Sequence, residues 1–156
     1  MTCDATVVER VLLIRWSAPI TEADWFEIGK RISFESQVRE EVIICADCRA
    51  LSQATTGASE LELKRMFHAN NPRLLRSGIL VDANEFMLQL SEEVRRAANP
   101  RRRIFYTVEM LSDWLDPVLT PVEKVAVQEL LSGAPLFRLS PKSEGEEPPE
   151  THPRLS

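Results

Sequence analysis

The hydrophobic positions of this chain change period several times, and each change marks an element. Residues 11–16, Val-Leu-Leu-Ile-Arg-Trp, are an unbroken bulky run that stops before Ser17-Ala18-Pro19, the pattern of a buried strand with a start near Val7. Thr21 followed by Glu22 and Asp24 reads as a helix cap with acidic residues at the positive end of the helix dipole. Trp25, Ile28 and Ile32 then lay one apolar stripe along a helix over 21–35. Gly29 stands on that stripe and permits close packing. Positions 42–46, Val-Ile-Ile-Cys-Ala, are apolar throughout, as expected of a central strand covered on both faces over 41–47.

After a loop, Leu63, Met66, Phe67 and Leu74 recur at helical spacing, with Asn70-Asn71-Pro72 dividing the stretch into two helical pieces. Residues 77–82 read as a third strand, and Ala83, Phe86, Met87, Leu90, Val94 and Ala97 as a helix to Ala98, closed by Asn99-Pro100. Residues 103–106 form a fourth strand, and Thr107 caps a short helix carrying Leu111, Trp114, Leu115 and Val118 that stops around Asp116-Pro117 or one turn later. Thr120-Pro121-Val122-Glu123 joins a capping threonine, proline at the first helical position and glutamate three residues after the cap, and Gly133 with Pro135 ends that last helix. Strands alternating with helices predict the α/β class: a single small domain over 1–139, with a four- to five-stranded, mostly parallel sheet and helices on its faces. Residues 140–156, SPKSEGEEPPETHPRLS, hold four prolines, four glutamates and almost nothing apolar, and read as a disordered acidic tail.

Bulk composition narrows the function classes. In 156 residues, the 44% apolar fraction suffices for one core, and the net charge of -5 argues against a general nucleic-acid partner. No apolar run reaches the roughly 20 residues that span a bilayer, so no membrane insertion is expected. Met1 to Arg10 lacks a basic region followed by an apolar signal segment. Three cysteines, an odd number, fit free thiols in a reducing cytoplasm better than a disulfide framework.

The chemistry-bearing residues are few. Cys45 and Cys48 bracket Asp47, but at the end of a strand three residues of extended chain direct the two thiols to opposite faces. A zinc site would need further ligands from Cys3, His68 or His152, and the spacing fits no zinc module, so packing is the better account. Asp47 and Asp82 each follow an apolar strand, where an open α/β sheet often binds ligands or metals; solvated strand-end carboxylates are the alternative. With two histidines, no Gly-x-Ser-x-Gly and five scattered glycines, nucleophilic catalysis and phosphate-cradling loops have no support, and no cofactor is expected. Arg95, Arg96, Arg101, Arg102 and Arg103 are the one dense basic cluster, best read as complementing a helix end and a turn, with the acidic tail able to fold back on it.

The order of elements, with VLLIRWSAPITEADW, EVIICADCRAL, RSGILV and RRIFYTVEMLSDWL, resembles the STAS-like group, the fold of anti-sigma-factor antagonists, and within it small stand-alone bacterial proteins. The likeness covers about residues 7–131. It implies a non-enzymatic regulatory module of bacterial signalling whose partner is another protein, and a homodimer is compatible with it. Antagonists of that group carry a strand ending in aspartate, then a loop with a phosphorylatable serine or threonine before a glycine and a helix. Asp47, Ser52, Thr55, Thr56 and Gly57 resemble that arrangement, which with Ser59 makes loop 48–59 the candidate partner and switch surface. From the residues alone, a plain helix cap is the better account of Thr56 or Ser59. Two other functions stay open. One is an apolar-ligand binder lined by Trp16, Trp25, Phe67 and Phe86, as in lipid-transfer proteins with related sheets, and the other is a metal-dependent enzyme at Asp47 and Asp82.

Overall fold

The apolar runs pair edge to edge into a sheet in the computed structural model, which describes residues 3–16 and 20–134 apart from the side chains of 69–71. Five strands, β1 (Cys3–Val8), β2 (Val11–Trp16), β3 (Val42–Asp47), β4 (Leu74–Leu80) and β5 (Arg102–Phe105), lie side by side in sequence order. β1 is antiparallel to β2 and all other neighbours are parallel. The helices are α1 (Glu22–Val38), α2 (Gly57–Asn70), α3 (Glu85–Ala97), α4 (Val108–Leu115) and α5 (Pro121–Leu131).

Because β2 to β5 each step one place in the same direction, crossovers of one hand put their helices on one side. One core accordingly joins Trp25, Ile28 and Ile32 of α1, Leu63 and Phe67 of α2, and Phe86 and Leu90 of α3 to Leu12, Ile14, Ile44 and Ala46. After β5 the chain returns beneath the opposite face, where Leu111 and Leu115 of α4 and Val127 and Leu130 of α5 bury against Val11, Leu13, Ile43 and Cys45. β3 is buried at all six positions, as its unbroken apolar pattern requires.

The caps follow the sequence. Thr21 and Asp24 form a reciprocal capping box at α1 with two 3.1 Å hydrogen bonds, and Thr120 and Glu123 form another at α5, behind Pro121. Gly29 allows α1 to approach α2 so closely that a Cβ there would fall 1.8 Å from the Glu62 carboxylate.

Several boundaries differ from expectation, among them β4, which spans Leu74–Leu80 and not 77–82, and β5, which is shifted by one residue to Arg102–Phe105. The first apolar run is the second arm of a hairpin: β1 precedes it through a turn at Glu9 and Arg10, with Glu9 at φ 54°. That turn lacks the glycine or asparagine that signals a hairpin. Leu74 opens β4 and does not belong to a helical stripe, because a 3-10 turn over Asn71–Arg73 separates it from α2. α1 runs to Val38, beyond 35. The rest of the domain assignment, 135–139, and the tail over 140–156 lie outside the described residues.

Candidate functional site

In the parallel part of the sheet, the C-terminal strand ends converge on one rim, where loop 48–56 leaves β3 and meets the start of α3. Asn84 joins the two. Its Oδ1 accepts from the Met87 amide at 3.0 Å, capping α3, while its Nδ2 donates to the Leu51 carbonyl at 3.0 Å. The Phe86 amide, otherwise an unsatisfied first-turn donor, gives its proton to the Ser52 carbonyl at 3.2 Å. Further along, the Ala54 amide donates to Glu85 Oε1 at 3.3 Å. Gln89 then takes hold of Thr55: its Oε1 accepts from the Thr55 amide at 2.8 Å and hydroxyl at 3.0 Å, and its Nε2 donates to the Thr55 carbonyl at 2.8 Å.

The loop backbone is thus fixed to α3 at four residues, while the side chains of Ser52, Gln53 and Thr56 are exposed. Gly57, at φ 60°, turns the chain into α2. Ser59 is buried within the first turn of that helix. Between the loop and the start of α1 opens a cleft of about 460 Å³, lined by Ile20, Glu22, Trp25, Ser52, Thr56 and Phe86 among others. Of the candidate loop residues, Ser52, Thr55, Thr56 and Ser59 border this cleft; Asp47 does not.

Asp47 is instead clamped by its neighbour. Arg49 donates Nε to Oδ1 at 3.0 Å and Nη2 to Oδ2 at 2.8 Å, with a backbone bond at 3.2 Å from the Arg49 amide. The hydrogen bonds to Asp47 hold the Arg49 guanidinium firmly protonated, and the charge of Asp82, exposed two residues beyond β4, acts in the same direction. Among the described residues no three His, Cys, Asp or Glu side chains are grouped to hold a metal ion.

Cys45 and Cys48 fall in opposite cores, as the extended spacing requires. Burial raises the thiol pKa of both, and pushes that of Cys3 up to about 12, so all three stay protonated near neutral pH. Trp16, Trp25, Phe67 and Phe86 are core residues, with the two indoles 4.7 Å apart and Phe86 6.3 Å from Trp25. They surround a void of about 60 Å³, well below the roughly 300–1,000 Å³ of ligand pockets. Arg102 reaches the same void, donates to the Phe67 carbonyl at 3.2 Å and stacks 4.5 Å over the Phe67 ring; burial lowers its pKa to about 10.

The sequence pointed to the loop but not to the side chains that hold it. Asn84 carried a legible capping signal ahead of the α3 stripe. Gln89 carried none, since its partner lies 34 positions away. The searches against models of protein families, curated proteins and solved structures find no match for this chain.

Proposed function

We propose that this chain is a non-enzymatic protein-interaction module of STAS-like type, and that loop 48–59 with the start of α2 is its partner surface. One observation carries the reading: the loop backbone is fixed to α3 at Leu51, Ser52, Ala54 and Thr55, while Ser52, Gln53 and Thr56 point outward beside an open cleft. A loop ordered before binding loses little further conformational entropy on docking. Of its two threonines, Thr55 spends its hydroxyl on Gln89, whereas Thr56 is exposed at the entrance to α2. Thr56 is therefore the switch position: a phosphate there would set negative charge against the helix N-terminus and against any acidic partner.

The test is quantitative affinity capture from the native cell with the full chain. Replacing Ser52 and Gln53 together by arginine removes the partners held by the wild type and leaves thermal unfolding within about 2 °C, as surface substitutions generally do. An identical set of captured proteins overturns the proposal.

A further inference from the structure

On the opposite sheet face, two arginines share one indole. The Arg76 guanidinium lies 4.1 Å from the Trp114 ring centroid and that of Arg103 lies 4.3 Å from it. Trp114 is fixed in turn: its indole N–H donates to the Ser77 carbonyl at 3.2 Å, and its own carbonyl accepts from Arg76 at 2.5 Å. Arg101, exposed two residues before Arg103, donates to the Leu74 carbonyl at 3.3 Å. Among the described residues none of these three arginines has a carboxylate within ion-pair distance, although Glu109 and Asp113 sit on α4 nearby in the chain. Seven other arginines, Arg10, Arg31, Arg39, Arg49, Arg65, Arg95 and Arg96, each hold a glutamate or aspartate, while Arg15 and Arg73 spend their guanidinium groups on backbone carbonyls. In a protein of net charge -5, a built cationic and aromatic face has no carboxylate partner among the described residues.

The chain carries a counter-charge itself. Residues 143–151, Ser-Glu-Gly-Glu-Glu-Pro-Pro-Glu-Thr, contain four glutamates and no basic residue. The described chain ends at Ala134, whose carbonyl accepts from Arg15 at 2.6 Å. Arg15 lies on the α5 side of the sheet, two residues beyond the row Leu13, Cys45, Gly78 and Arg103. Three strand spacings, about 14 Å, and two residues along a strand, about 7 Å, therefore separate Arg15 from Arg103 on one face. The ten residues 135–144 reach about 33 Å when extended, which is ample.

We infer that the acidic segment 144–150 of this chain covers the Arg76–Trp114–Arg103 face in an intramolecular, salt-sensitive contact. Exposed ion pairs are individually weak and screened by salt. Tethering supplies a millimolar effective concentration that makes several of them sufficient. This surface is separate from loop 48–59, and its test does not depend on the function proposed above.

The test uses ¹⁵N–¹H NMR of the full chain, following the indole N–H of Trp114 and the Nε–H of Arg103. Replacing Glu144, Glu146, Glu147 and Glu150 by glutamine shifts both signals and leaves the indoles of Trp16 and Trp25 unmoved; 0.5 M NaCl produces the same shift in the wild type. Arg103→Gln abolishes the Trp114 response to both changes. Identical Trp114 and Arg103 signals in wild type and the glutamine variant overturn the inference. So does a shift that grows with protein concentration, because the segment would then be reaching a second copy.

Discussion

Arg10 grips the carboxylate of Glu123 across 113 positions of sequence, with Nη2 2.9 Å from Oε1 and Nε 3.1 Å from Oε2. The Arg10 and Thr120 amides add bonds at 3.0 and 2.8 Å, so a fully buried carboxylate has its lone pairs satisfied. The same arginine donates to the Val118 carbonyl at 2.6 Å. One residue of the β1–β2 turn thereby fastens the start of α5 beneath the sheet. Arg10→Ala would leave a buried charge short of its partner and should lower stability by about 2–4 kcal/mol, below the maximum for a buried pair because Arg10 is partly exposed. Chemical denaturation measures this as a lower midpoint at unchanged slope.

The same pair sets an acid limit. Burial alone would raise the Glu123 pKa, but the hydrogen bonds from the Arg10 side chain and from the Thr120 and Arg10 amides overcome it and hold the value below the ordinary one. A depressed carboxylate contributes stability that is fully present above its unfolded value, about 4.3, and is lost as pH falls through the folded value. Glu123→Gln should therefore flatten the stability profile below about pH 5 while lowering stability at neutral pH. Denaturant midpoints recorded from pH 7 to 2.5 for both proteins test it, and parallel profiles would count against the assignment.

Gln89 holds the Thr55 end of loop 48–56. Gln89→Ala removes the acceptor for the Thr55 amide and the donor to its carbonyl. With each bond worth about 1 kcal/mol net, exchange of the Thr55 amide should quicken about tenfold or more. Core amides in β3 should keep their protection. Unaltered exchange at Thr55 would mean that other contacts hold the loop.

At Gly29 two effects oppose each other. Alanine gains about 1 kcal/mol of helix propensity. Its Cβ, however, would fall 1.8 Å from Glu62 Oε2 and drive a buried carboxylate off its ion pair with Arg65. The steric term should prevail, with a net loss of about 1–2 kcal/mol. Once Glu62→Ala has cleared the space, Gly29→Ala should turn neutral or stabilising. A double-mutant cycle reads that change of sign.

The three thiols are buried in the described fold. Native protein at pH 8 should leave Cys3, Cys45 and Cys48 unmodified by a disulfide reagent such as DTNB, and all three should react at once on unfolding. Rapid labelling of any of them in native protein would contradict the burial described.

Much of the fold was legible because it rests on local signals. The apolar run at 42–46 identified the central strand, and the capping residues Thr21, Thr107 and Thr120 identified three helix starts. What stayed hidden depends on distant partners. β1 is an edge strand with a mixed burial pattern, and its turn lacks the usual residues. Arg76 and Ser77 broke the apolar pattern of β4 because Arg76 turns toward Trp114, a contact 38 positions away. At the candidate site the threonines were visible as residue types, but the choice between Thr55 and Thr56 required Gln89. Asp47 read as an available carboxylate, and only the folded chain shows Arg49 occupying it.

The proposed interaction surface can be mapped directly. A photo-crosslinking residue placed at Gln53, and in a separate sample at Val125 on the exposed side of α5, is irradiated in the native cell. Position 53 should give a discrete protein adduct that disappears with Thr56→Glu, and position 125 should not give that adduct. No adduct at 53, or the same adduct at both positions, would contradict the assignment of loop 48–59 as the partner surface.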